Sequence, residues 1–136
     1  MKATQESNED YLEAILMLQS ETGLPVHAVQ VARRLKVSKA SVSKALVRLE
    51  ALGYLKVVDR DIRLSPSGRA LAESVLRRHH FFMRMLEAAG VDTHVASAEA
   101  CRMEHCISED SFAKLSAYFG DIRALDAGRP LSENRA

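Results

Sequence analysis

The chain has 136 residues, 47% of them hydrophobic and 27% charged, with a formal net charge of +1. That length holds one domain or two small ones sharing a core, and the composition is that of a folded chain, not a disordered one. Nucleic-acid binding through bulk charge is excluded, so any such function rests on where the basic residues sit; no apolar run approaches the ~18 residues of a membrane span and residues 1–9 lack an apolar signal core, so a cytoplasmic protein with no membrane partner is expected.

The first predicted helix covers residues 7–21. Ser7 is its N-cap, and Glu9 and Asp10 place negative charge in the first turn. Tyr11, Leu12, Ile15, Leu16 and Leu18 form its apolar stripe, with Asp10 and Glu13 three apart on a face beside it. Gly23 and Pro25 end it. Residues 26–52 read as two short helices. Ala28, Val31, Ala32 and Leu35 are the core side of the first, and Val42, Leu46 and Leu49 of the second. Ser38 caps the second, and Gly53 closes it as a C′ glycine. Tyr54–Val58 and Ile62–Leu64 are β-type runs separated by Asp59, Arg60 and Asp61, a small hairpin. Helix, helix, recognition-type helix and hairpin make the order of a winged helix-turn-helix.

Ser65-Pro66 opens a long helix, with serine as N-cap and proline at the first helical position. It can run to Ala89, where Gly90 stops it. A helix over 93–107 follows, then one capped by Ser108 that carries Phe112, Leu115 and Phe119. The expected fold is mainly α: a winged helix-turn-helix over 1–65, a helical dimerisation and metal-binding domain over 66–120, and a loose polar tail over 121–136.

Within the 93–107 helix, Cys101, Glu104 and His105 stand three and four residues apart and so project from one face. A thiolate, a carboxylate and an imidazole together make half of a transition-metal site. Asp10, Glu13 and His79 are the candidates for the other half. Each has a plainer explanation. Asp10 suits a helix N-terminus, Glu13 suits a surface, and His79 sits in Arg77-Arg78-His79-His80, which reads equally as a solvated basic cluster. Cys101 alone is more often a small buried hydrophobe than a ligand. Cys101 and Cys106, five apart, point in different directions on an unbroken helix, so no disulfide is expected between them.

A helix that enters the major groove needs small residues near its N-terminus, cations for phosphates and donors for base edges. Ser38, Lys39, Ala40, Ser41, Ser43, Lys44 and Arg48 meet that need, and no acid intervenes before Glu50. Arg60 and Arg63 on the hairpin can reach a neighbouring backbone or minor groove. A solvated helix face explains Lys and Ser alone, but not the order of elements around them. One such module is small for tight specific binding, so a homodimer reading two half-sites of a double-stranded DNA operator is expected.

Five segments in order, Ser7–Glu13, Val37–Ser43, Leu64–Gly68, Arg78-His79 and Ala100–Ser108, resemble the successive signatures of the DtxR/MntR family of metal-dependent transcriptional repressors. The resemblance covers roughly residues 5–120. It implies a winged-helix domain, a helical dimerisation domain, divalent-metal sites and metal-activated binding to operators of metal-uptake genes. It implies no enzymatic activity. The length suggests the short, manganese-regulator form without an SH3-like domain. Asp10, Glu13, His79, Glu104 and His105 match ligand positions of the manganese branch. Cys101 departs from it, since that branch usually has glutamate there. The iron branch has the cysteine, but methionine in place of Asp10. Three carboxylates and two imidazoles suit Mn(II) or Fe(II), while the thiolate shifts preference toward Fe(II), Co(II) or Zn(II). Two other readings compete: a winged-helix regulator answering an organic effector or none, and a metal hydrolase built on His79, Glu104 and His105. The second lacks a positioned general base beside an open metal position.

Overall fold

The computed structural model describes residues 2–119, with side chains from residue 8 onward. The tail expected over 121–136 lies outside the described residues. The elements run α1 Lys2–Thr22, α2 Ala28–Leu35, α3 Lys39–Ala51, β1 Leu55–Val58, β2 Asp61–Leu64, α4 Pro66–Ala88, α5 Thr93–Met103 and α6 Glu109–Phe119. They fall into two compact units, Met1–Ser74 and Val75–Ala136. Among the described residues no helix is long and apolar enough to cross a membrane.

In the first unit, α1 packs on α2, α3 and β2, and α3 packs on β1. Leu12, Ile15, Val26, Val31, Val42, Leu49 and Ile62 are fully buried. At about 1.5–3 kcal/mol for each such side chain, this burial is the main term opposing chain entropy. The first helix starts at Lys2, not at Ser7. Nothing from Lys2 to Glu6 breaks a helix, and Lys, Ala, Gln and Glu all propagate one. Ser38 caps α3 as expected: its Oγ accepts from the Ser41 amide at 3.1 Å.

The end of α3 is built by Gly53. With φ at +81° it takes the left-handed conformation that a β-carbon disfavours. Its amide donates to the Glu50 carbonyl and the next amide, of Tyr54, donates to Leu49, both at 3.0 Å. This is a Schellman closure, and it turns the chain into β1. β1 and β2 pair antiparallel with Leu55 opposite Leu64 and Val58 opposite Asp61. The turn is therefore two residues, Asp59 and Arg60, not three. Both have positive φ, as a type I′ hairpin turn requires.

Asp61, read from the sequence as a turn residue, has a structural task instead. It is 7% exposed, and its Oδ1 accepts from the Val26 amide at 3.0 Å while Oδ2 accepts from Arg63 Nε at 2.8 Å. The Ile62 amide donates to the Val26 carbonyl at 2.9 Å, so the link between α1 and α2 is stitched to the wing. The Arg63 hydrogen bond, and then the Val26 amide, hold the Asp61 carboxyl below its ordinary value. A carboxyl that titrates lower when folded stabilises the fold in its ionised form. That contribution is whole above about pH 4 and declines as pH falls through the lower folded value. The stability gap between wild type and Asp61→Asn in urea is expected to narrow as pH falls from about 5 to about 2. A constant gap across that range would contradict the assignment.

The wing returns into α4 through a compact joint. The Ser65 amide donates to the Tyr54 carbonyl at 3.0 Å, and Ser65 Oγ donates to the Gly53 carbonyl at 2.6 Å. Ser65 Oγ also accepts from the Gly68 amide at 3.1 Å, which makes it the N-cap foreseen from Ser65-Pro66. Gly68 sits so close to the wing that a Cβ built on it would overlap the Tyr54 carbonyl oxygen.

The second unit is held by aromatic and methionine packing. Phe81, Phe82 and Ala100 are buried, with Met83, Met85, Met103, Ile107, Phe112, Leu115 and Phe119 packed against them. Phe81 meets Phe112 edge to face at 5.4 Å between ring centroids, a geometry favoured by the ring quadrupoles. Asp92 caps α5, accepting from the His94 amide at 3.0 Å. Ser108 caps α6, accepting from the Ser111 amide at 3.1 Å. α5 ends at Met103, four residues short of the expected Ile107. Glu104 keeps helical angles and donates its amide to Ala100, but His105 lies in the turn beyond, where the Cys106 amide reaches back only to Met103. The Ser108 cap competes for this stretch, and a new helix cannot begin until the old one has ended.

Candidate metal centre and nucleic-acid interface

Although the helix stops early, its end keeps three donors together. One donor atom each from Cys101, Glu104 and His105 lies within 4.8 Å of the others. Glu104 is completely buried, which for a carboxylate demands strong compensation. It lies between two imidazoles. His79 Nδ1 and Glu104 Oε2 are hydrogen-bonded at 3.0 Å, and His105 Nε2 lies 3.4 Å from Glu104 Oε1. With Glu104 ionised, the first contact puts the His79 proton on Nδ1 and its ring lone pair on Nε2. A carboxylate that orients an imidazole in this way is the usual outer support of a histidine ligand.

His79 reaches this position from α4, and its neighbour Arg78 helps to fix the loop it meets. Arg78 is 5% exposed, and its Nη1 donates to the Ile107 carbonyl at 3.5 Å and lies 3.7 Å from Glu109 Oε1. The solvated-cluster explanation of Arg77–His80 therefore fails for Arg78. It holds for Arg77 and His80, which are exposed. Cys101 is half-buried and Cys106 exposed, and both are free thiols. Asp10 and Glu13 lie in the first unit, on α1, both half-buried. The donor set of the second unit fits a divalent transition metal: thiolate, carboxylate and imidazole suit Fe(II), Co(II) or Zn(II), and carboxylate with imidazole suits Mn(II).

In the first unit, Ser38, Lys39, Ala40, Ser41, Ser43 and Lys44 are all exposed on α3, opposite buried Val42, Ala45 and Leu49. They are not equivalent. Ser38 Oγ donates to Ser41 Oγ at 3.0 Å, so both hydroxyls serve the cap. Arg48 is half-buried and its Nε donates to Asn8 Oδ1 on α1 at 2.7 Å. Arg63 is fastened to Asp61. Lys39, Ser43 and Arg60 line one groove of about 390 Å³, with His27, Val29 and Ile62, between the starts of α2 and α3 and the wing. Sequence reasoning missed the partners of Arg48 and Arg63. Asn8 and Asp61 carry no periodic signal that marks them as partners forty and two residues away.

The comparisons agree with this two-part layout. Residues 3–61 match the family model described as iron dependent repressor, N-terminal DNA binding domain. Residues 65–130 match iron dependent repressor, metal binding and dimerisation domain. The chain is 35% identical over 133 residues to the diphtheria toxin repressor of Corynebacterium efficiens, covering 96% of this chain and 57% of that protein. It is 36% identical over 128 residues to the iron-dependent repressor IdeR of Mycobacterium tuberculosis, covering 93% and 55%. A solved manganese-dependent transcriptional repressor in complex with manganese is similar at a TM-score of 0.73 and 27% identity, over 81% of this chain and 51% of that one. The chain thus spans little more than half the length of these curated relatives. Two matched halves that between them cover most of the sequence place this chain in the iron-dependent repressor family.

Proposed function

We propose that this protein is a cytoplasmic, homodimeric repressor that binds operator DNA when loaded with Mn(II) or Fe(II), and that it controls genes of metal-ion homeostasis. Zn(II) and Co(II) are expected to substitute in vitro, because affinity at a given donor set rises along that series. The observation that carries the reading is the fully buried Glu104 held between His79 and His105, beside Cys101, in a chain that opens with a winged helix-turn-helix. Residues 1–65 serve as the DNA-binding part. Residues 66–120 serve dimerisation and metal binding, with α4 and α6 as the dimer surfaces.

In this reading Asp10, Glu13, His79, Cys101, Glu104 and His105 are the metal ligands. When bound, the ion supplies the positive charge that lets acidic and neutral donors converge. Asp10 and Glu13 belong to the helix that leads into the DNA-binding part, and the other four belong to the helical part. The ligand then selects a competent arrangement from a wider ensemble, with a coupling of about 1–3 kcal/mol as a typical value. The test is a metal titration followed by gel shift, run with Mn(II), Fe(II) and Zn(II) in parallel under reducing conditions. Equal operator binding with and without metal would refute the reading in favour of a regulator that answers something else.

On the DNA face, Lys39, Lys44 and Arg60 carry the phosphate contacts in this proposal, Ser43 and Ala40 allow close approach, and Ser38 and Ser41 fix the helix start. Arg48 and Arg63 act mainly through Asn8 and Asp61. Lys39→Ala and Lys44→Ala are each expected to lower the slope of log affinity against log salt by about 0.9 per subunit. Arg48→Ala is expected to leave that slope as in wild type and to lower stability by about 1 kcal/mol. A reduced slope for Arg48→Ala would return it to the DNA contacts.

A further inference from the structure

Val47 has no part in the contacts described so far. It is 71% exposed, more than any other large hydrophobic side chain among the described residues of α3 and the wing. At 3.6 residues per turn, Ala40, Ser43, Lys44 and Val47 form one stripe, directly opposite Val42, Ala45 and Leu49. A β-branched apolar residue is a mediocre helix former and gains nothing from water on a solvated face, where alanine or lysine would serve better. The surroundings specify what it meets. Between Lys39 and Leu49 the helix carries two lysines and an arginine and no acid, so the partner is anionic. Its small residues, Ala40 and Ser43, clear the approach. The spacing i, i+3, i+4, i+7 is the one by which a helix lying lengthwise in the major groove presents side chains to base edges, as in homeodomains. The apolar feature that a base pair offers there is the thymine 5-methyl group.

We propose that Val47 reads a thymine methyl in the operator and so sets sequence preference beyond the first turn of α3. This rests on the DNA-binding reading above. The test starts from a selection of random 20-base-pair duplexes by the metal-loaded, full-length protein. In the enriched duplex each thymine is then replaced in turn by uracil, which removes only the methyl. At one position per half-site the wild type is expected to lose about fourfold in affinity, the worth of one buried methyl. Val47→Ala is expected to lose nothing at that same position, while binding random-sequence DNA as the wild type does. Identical uracil penalties in wild type and Val47→Ala would overturn the proposal and leave Val47 as a contact for another protein. Failure of the wild type to enrich any duplex would instead overturn the DNA-binding reading on which it stands.

Discussion

Glu104→Gln is expected to abolish metal-dependent operator binding while the protein stays folded and dimeric. The substitution keeps volume and shape but removes the charge, in a position that is wholly buried and within reach of two imidazoles. Changing a residue that merely supports a ligand typically costs 10–100-fold in metal affinity, and if Glu104 is the proposed charged ligand its loss should cost at least about 100-fold. Calorimetric titration with Mn(II), and with Fe(II) under anaerobic conditions, reads this directly. Near-native circular dichroism and an unchanged sedimentation profile separate it from misfolding. His105→Ala is expected to behave in the same way. Metal-dependent binding at wild-type strength in both variants would show that the buried carboxylate is a structural group and not a ligand.

Gly68→Ala is expected to destabilise the first unit by about 3 kcal/mol, the upper range for a side chain forced into occupied space. The sign is diagnostic. In an ordinary helix, replacing glycine by alanine stabilises by roughly 1 kcal/mol. Here the new Cβ meets the backbone oxygen of Tyr54, which cannot rotate away as a side chain would. That carbonyl is also tied to the Ser65 amide, so moving it disturbs the joint between wing and α4. Urea unfolding of the two proteins checks the claim, and an alanine variant of equal or greater stability refutes it.

The parts of this fold that announced themselves in the sequence are those governed by local rules. Ser38, Ser65 and Ser108 cap helices in the positions their spacing suggested, and Gly53 ends α3 because no other residue takes its conformation as cheaply. The parts that stayed hidden depend on competition or on distance. The helix holding Cys101 stops at Met103 because a second helix claims Ser108, a contest that composition does not decide. Asp61 looked like a turn residue because Asp favours turns. Only the position of Val26, thirty-five residues earlier in the chain, shows why a carboxylate is kept there. The same applies to Arg78, which sits in a run of four basic residues and is nonetheless buried against the Ile107 carbonyl. Long-range partners have no period, so a stripe of like residues conceals which member is bound.

The hairpin of the wing is anchored at its root, where Ser65 and Ser67 hydroxyls meet the Gly53 carbonyl, and open at its tip, where Asp59 and Arg60 make the whole turn. Asp61 and Ile62 also tie the start of β2 to Val26, so the two turn residues project beyond the last of these ties. Adding one residue to each strand at the tip would advance Arg60 by about 3.4 Å, which is also the rise of one base pair along a DNA strand. A tip lengthened in this way would act as a ruler graduated in base pairs.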